Sequence, residues 1–372
     1  MYRESFIFWI PLVVGTLLLL LVLPFGLKTT SDSFLYLEGA AYLKENGFIN
    51  LFEQPAFLAK PILFSLLLIP FTETPDSFGW LQLVFFCFSY SLSHYFAAKY
   101  LQSVKYRLYY NLLFVTSTPL IMDHVFLWTE PVFICLLLVY AVLVYRSYQA
   151  VSTISTISLI SVALLVCSLK HVGIFFILPT AGWMLVTALK QNKSPVTTAA
   201  AALHMLLPLL YFIGWQWAVW HIGGNQDRID HFAGADVFGN SILLTEALTT
   251  WFAPRVLASY ISWIVVPALF VFIFRMAGSY QQKAKSHTAI YLCSMCLLYF
   301  LVLVSKGDMI FSDDERYISV MFPFVTIFLL SGVERITKYR TKIKPLILSV
   351  GGVILLYNLI RVCRNVWFWS EI

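Results

Sequence analysis

Long apolar runs broken by short polar stretches make up nearly the whole chain. At ~20 residues per membrane crossing, candidate spans fall near 6–27, 77–98, 108–122, 125–145, 152–169, 172–189, 197–219, 256–275, 288–305, 317–333 and 345–361. The pattern predicts an all-α, polytopic helical bundle of about 11 transmembrane helices. Pro61–Phe71 (PILFSLLLIPF) is apolar but only about half a span long. It is expected to be a juxtamembrane or re-entrant element. The first sustained polar interruption, Thr29–Pro61, predicts a short helix with Ser31 or Asp32 as N-cap and Asn46-Gly47 as its C-terminal signal. On that helix Asp32, Tyr36, Gly39/Ala40 and Leu43 share one face. With no internal repeat, low-complexity tract or soluble domain, residues 1–372 read as one membrane domain. Its two long loops are 28–76, with juxtamembrane helices, and 220–255.

Composition agrees: 60% of the residues are hydrophobic and 12% charged, with a mean hydropathy of +0.80, outside the range of soluble domains. The first apolar run is too long for a removed signal peptide and is read as an uncleaved anchor. Charge then orients the chain. An eleven-span arrangement puts Arg3, Lys99, Lys105, Arg107, Arg146, Lys190, Lys193, Arg275, Lys283, Lys285, Arg335, Lys338, Arg340, Lys342 and Lys344 on the cytoplasmic side. Only two acids, Glu4 and Glu334, accompany them. Making 61–71 a full span reverses every later loop, against the positive-inside rule. Loops 28–76 and 220–255 then face outward, and Trp367-Phe368-Trp369 becomes an outer interfacial anchor. The net charge of +6 is an orientation signal, so no nucleic-acid partner is expected. Cys293 and Cys296 form a CxxC inside an apolar run, which reads as packing of small residues, with no metal or redox role.

Ionisable residues at span ends are costly unless they line a wet cavity. The outer-side set is Asp32, Lys60, Asp123, His124, Glu130, Lys170, His171 and the run Asp313-Asp314-Glu315-Arg316. Each either marks a water interface or contributes to one convergent site. Asp32 itself is either a plain N-cap or a base at the mouth of a membrane cavity. His221, Asp227, Asp230 and His231 are metal-ligand types without the spacing of a tight site. Neither GxxxxGK[ST] nor GxGxxG occurs, so no nucleotide site is expected.

The ordered set SDSFLYLEGAAYLKENG, AKPILFSLL, WTEPVF, SLKHVGIFFILP and ERYISVMFPF resembles the C-type (GT-C) polytopic membrane glycosyltransferases. Within them it is most similar to the branch of protein O-mannosyltransferases and lipid A aminoarabinose transferases. The resemblance covers most of the first 190 residues and a patch around 313–324. It rests on Asp32, Tyr36 and Ala40 in the first outer loop, the Lys60-Pro61 pair, Lys170 with Gly173, and Arg316-Tyr317 with Pro323. It departs from the branch where Ser33 follows Asp32, because a second adjacent acid is common there. The base therefore lies between Asp32 and Glu38, with Asp32 preferred by order. A large C-terminal soluble domain is also lacking, so acceptor recognition is expected from membrane-embedded surfaces or short loops.

The resemblance implies a sugar donor carried on a polyprenyl phosphate and a hydroxyl acceptor that is a glycan, lipid or protein. Asp32 is then the base, and Lys60, Lys170 and Arg316 bind the donor phosphate. Tyr36, Glu38, Asp123, His124, Glu130 and Tyr317 are candidate substrate contacts, with membrane lipids as the surrounding partners and no cofactor or metal. The expected location is a bacterial inner membrane with the site on the extracytoplasmic side. The rival readings are a lipid or polysaccharide transporter or flippase, another polytopic transferase, and a non-catalytic assembly subunit. Mid-span charges would favour a transporter. An acyltransferase would want a His-centred pair in the membrane, and His94 and His204 lack evident partners in the sequence.

Overall fold

The computed structural model describes residues 2–149, 153–190, 194–222, 236–305 and 314–371. Among them there is no β-strand, and helices carry the fold. The first half contains α1 (Tyr2–Leu20), α2 (Ser31–Asn46), α3 (Pro55–Ala59), α4 (Ile62–Leu68), α5 (Phe78–Tyr100), α6 (Val104–Thr116), α7 (Thr118–Val125) and α8 (Glu130–Gln149). The second half contains α9 (Thr153–Leu169), α10 (Gly173–Lys190), α11 (Pro195–His221), α12 (Val237–Thr249), α13 (Arg255–Gly278) and α14 (Lys283–Val304). It closes with α15 (Asp314–Ser319), α16 (Phe322–Tyr339) and α17 (Lys344–Glu371).

Among the described residues, seven helices are long and apolar enough to cross a membrane: Glu4–Phe25, Glu130–Ser147, Gly173–Lys190, Pro195–His221, Arg255–Gly278, Lys283–Val304 and Thr341–Glu371. The other expected spans coincide with helices that fall short of this standard, and two of them are interrupted. The run 108–122 is split into α6 and α7 at Ser117, two residues before Pro119. The run 317–333 is split between α15 and α16 at Val320-Met321, just before Pro323. Proline offers no amide to the preceding helix, and each of these prolines sits in the first turn of the next one, where that amide is not needed, so a helix restarts at each site. The Pro61–Phe71 run forms a half-length element, α4 followed by a 3-10 turn at Ile69–Phe71. A multi-pass membrane protein follows from these helices.

Contacts at their ends arrange the helices into a bundle with two distinct ends. Near one, the first turns of α1 meet the middle of α6 through Asn111 Nδ2 and the Ile7 carbonyl, 2.9 Å. There too Tyr106 on α6 bonds Thr337 near the end of α16, 2.8 Å. At the other end, the segment after α1 is tied to the α7–α8 link. Lys28 N donates to Val125 O at 3.0 Å, and Leu127 N donates to Lys28 O at 2.8 Å. The interior between the ends is apolar and aromatic, including Phe64, Phe86, Tyr90, Phe114, Tyr140 and Tyr299. Cys293 and Cys296 are buried in it as free thiols.

Candidate functional site

The start of α2 is fixed differently from the sequence expectation. Thr30 is its N-cap: its amide donates to Ser33 Oγ at 2.9 Å. Ser33 Oγ in turn donates to Leu127 O at 3.0 Å, and Trp128 Nε1 donates to Thr30 Oγ1 at 2.9 Å. The cap is therefore satisfied without Ser31 or Asp32, and it bolts α2 to the α7–α8 link. Asp32, one residue inside the helix, is left free to point elsewhere. The face carrying Tyr36, Gly39, Ala40 and Leu43 is buried as expected. Gly39 is required there, because a Cβ would sit 2.7 Å from Ser65 Oγ on α4. Gly47 ends the helix at φ 62°, a left-handed conformation that glycine adopts without strain.

Five charged side chains from five separate segments meet beside this cap. Lys60 Nζ donates to Asp32 Oδ1 at 2.7 Å, and Arg316 Nη2 donates to Asp32 Oδ2 at 3.0 Å. The same guanidinium donates through Nε to Glu130 Oε1 at 2.7 Å. Lys170 Nζ reaches that Glu130 oxygen at 2.6 Å. The result is a ladder of alternating sign, Lys60–Asp32–Arg316–Glu130–Lys170, with two carboxylates, three cations and a formal charge of +1. Aromatic faces flank the cations: Trp128 lies 4.2 Å from the Arg316 guanidinium, and the Tyr36 ring 5.7 Å from Lys60 Nζ. The Tyr317 ring lies 5.9 Å from Lys170 Nζ. Such contacts favour a desolvated cation.

Burial grades along the ladder and separates the two acids. Asp32 and Lys60 keep about a fifth of their side-chain surface, 20% and 23%, whereas Glu130 is sealed at 0% and Arg316 at 2%. Asp32 is the carboxylate a second molecule can reach; Glu130 is an anchor. Burial by itself raises the Asp32 pKa, but the adjacent Lys60 and Arg316 charges outweigh it and hold the carboxyl below its ordinary value. Lys170 is shifted downward, chiefly by burial, with the pull of Glu130 only partly offsetting it. Arg316 sits above its ordinary value because Glu130 and Asp32 outweigh its desolvation.

Other expected site residues fall elsewhere. Glu38 is exposed, off the buried face of α2, and joins no ladder contact. Asp123 is fully buried rather than at a wet mouth, and neither carboxylate oxygen has a hydrogen-bond partner among the described residues. His124 is turned into the core, with Nδ1 bonded to Leu120 O at 2.7 Å and its ring edge-on to Phe86. His171 packs against Phe212 and Trp215. Asp314 is buried and pairs with Arg255 at 3.0 Å, and Glu315 pairs with Arg361, so of the described residues of this run Arg316 is the one that joins the ladder. Asp313, Asp227, Asp230 and His231 lie outside the described residues. No group of three or more metal-ligand side chains occurs among the described ones. His94 bonds Asn111 and His204 bonds Tyr140, so neither forms a His–carboxylate pair.

Sequence reasoning missed the supports of Arg316. Trp128 was visible within WTEP but carried no assigned role. Arg361 closes an apolar run and looks like an interfacial cation. Its carboxylate partner, 46 residues earlier, leaves no local signal. No protein-family model matches the chain, and no curated protein is similar to it.

Proposed function

We propose that the protein is a membrane glycosyltransferase that moves a sugar from a polyprenyl-phosphate donor to a hydroxyl acceptor. The observation that supports this reading is the ladder, in which one accessible carboxylate is shared between two cations that an anionic ligand can also engage. The acceptor oxygen attacks the anomeric carbon and the bond from that carbon to the phosphate oxygen breaks. The phosphate leaves with the electron pair, and the acceptor proton passes to Asp32. Lys60 and Arg316, with Lys170 behind them, stabilise the charge growing on the phosphate. Arg316 can engage two oxygens at once, whereas the lysines act as point charges.

The ion pairs of the free protein give this scheme an order of events. While Lys60 and Arg316 hold Asp32, its lowered pKa makes it a poor proton acceptor. A donor phosphate competes for the same two cations and releases Asp32 as the base when the donor is in place. Glu130 keeps its hold on Arg316 and Lys170 throughout, so the cations remain oriented. In this reading the bundle makes eleven crossings, counting the interrupted runs 108–122 and 317–333. The ladder then lies on the extracytoplasmic side of a bacterial inner membrane, opposite the basic loops.

The test is transfer of label from polyprenyl-phosphate sugars to membrane-extract acceptors by the purified protein and its variants. Asp32→Asn is expected to fold normally, since Thr30 rather than Asp32 caps the helix, and to lose about 100-fold or more in transfer. Glu38→Gln is expected to retain activity. Full activity in Asp32→Asn contradicts the proposal.

A further inference from the structure

A second feature lies away from the ladder. Helix α17 lies on the flank of the bundle, held at intervals by polar contacts. Tyr109 Oη donates to Gly351 O at 2.7 Å, Asn358 Nδ2 donates to Trp251 O at 3.0 Å, and Arg361 pairs with Glu315. Between α17 and the faces of α6, α13 and α16 runs a furrow of about 770 Å³. That is within the roughly 300–1,000 Å³ typical of ligand sites. Its walls are almost wholly hydrocarbon, with Leu112, Ala268, Leu330 and Leu348 among them, and no ladder residue lines it. Empty space of this size between apolar helices forfeits dispersion contacts on every side unless an apolar chain fills it.

The charge around one end says what that chain carries. Lys105, exposed at the start of α6, is the one charged residue lining the furrow. Val333 on α16 and Ile347 on α17 line it too, and the segment joining those helices contains Arg340, Lys342 and Lys344, all exposed. The acids nearby are already engaged. Glu4 bonds Arg107 at 2.7 and 2.6 Å, and Glu334 accepts from the amides of Gln102 and Ser103. A greasy slot that opens beside uncompensated cations matches a molecule with a hydrocarbon tail and an anionic head. We infer that this furrow is a binding site for one acyl chain of an anionic phospholipid. Its phosphate is held by Lys105 and the 340–344 cations, in the leaflet at the end of the bundle opposite the ladder.

The experiment is native mass spectrometry of the purified full chain titrated with phosphatidylglycerol and, separately, with phosphatidylcholine of identical acyl chains. One phosphatidylglycerol is expected to be retained about tenfold more tightly, the scale of one or two lipid-facing cations at about 1 kcal/mol each. Ala268→Trp fills the furrow from the α13 wall and is expected to lower retention of both lipids tenfold or more. Leu348→Trp does the same from α17, should the first variant fail to fold. The double variant Lys105→Glu/Lys342→Glu is expected to erase the preference for phosphatidylglycerol while leaving acyl retention intact. Equal affinity for the two lipids overturns the inference, as does retention unchanged in both tryptophan variants. Two further outcomes overturn it as well. One is one-for-one displacement of the phospholipid by a polyprenyl phosphate, which makes the furrow a donor-tail site. The other is a dimer abolished by the tryptophan variants, which makes it an interface between copies.

Discussion

The two ends of the bundle use the same charged residue types for opposite purposes. At the α1 N-terminal end, Arg107 makes a bidentate pair with Glu4, whose side chain is 51% exposed. Arg335 there lies over the Tyr280 ring at 4.5 Å and donates to Ser279 O. Each of these contacts is made at the surface, where it contributes little to stability, and the neighbouring Lys105, Arg340, Lys342 and Lys344 stay outside them. At the ladder end, Arg316 and Glu130 are buried, and Asp32 is held by two cations at once. Desolvation makes such an arrangement expensive for folding, and the attraction within it repays the cost only while the sealed Glu130 stays with Arg316 and Lys170. A costly buried network with one accessible carboxylate suits the proposed site; cheap exposed pairs suit an anchor.

Removing the sealed carboxylate tests that distinction most severely. Glu130→Ala leaves Arg316 and Lys170 buried without their shared counter-charge, and a loss of about 3–5 kcal/mol in unfolding stability is expected. Thermal or denaturant unfolding in detergent measures it. A parent-like value would mean the ladder is far wetter than its burial indicates.

A smaller effect comes from the rim of the ladder end, where Asp314 sits beside Arg255. Burial pushes its carboxyl up to about 6, although Arg255 pulls the other way. Because the folded state holds this proton more tightly than the unfolded chain, stability falls as pH rises from about 4 through about 6, then levels off. The span of the change is of order 1–2 kcal/mol after allowing for screening. Asp314→Asn is expected to flatten that part of the stability–pH curve, which unfolding measured at half-unit pH steps follows.

The smallest effect belongs to the opposite end. Glu4→Gln breaks the Arg107 pair, and a change within about 1 kcal/mol is expected, shrinking further with salt. Equal losses from Glu4→Gln and Glu130→Ala would erase the difference between the two ends.

Much of the ladder was legible in the chain because charge at the ends of apolar runs is conspicuous against a hydrocarbon background. Asp32, Lys60, Glu130, Lys170 and Arg316 all stood out that way, and Glu130, expected to orient either the sugar or a cation, bonds both Arg316 and Lys170. Helical periodicity already put Asp32, Tyr36 and Ala40 on one face, and Glu38 falls off that face in the fold. The cap of α2 was misplaced by one or two residues because Thr30 and Ser33 satisfy each other, a reciprocity that residue type alone does not reveal. Asp123 and His124 show the limit of the argument: both sit at a span end, yet α7 restarts at Pro119 and folds them into the core. The Glu315–Arg361 pair and the furrow beside α17 depend on how distant helices stand relative to one another. No local pattern encodes that spacing.

Donor phosphate and Asp32 are proposed to compete for Lys60 and Arg316. The most direct measurement is the affinity of a polyprenyl phosphate for the purified protein and for Asp32→Asn, by titration calorimetry or tryptophan fluorescence. Removing the competing charge is expected to tighten binding about tenfold, a gain of about 1.4 kcal/mol, in the same variant that has lost transfer. Unchanged or weaker binding in Asp32→Asn would contradict the claim.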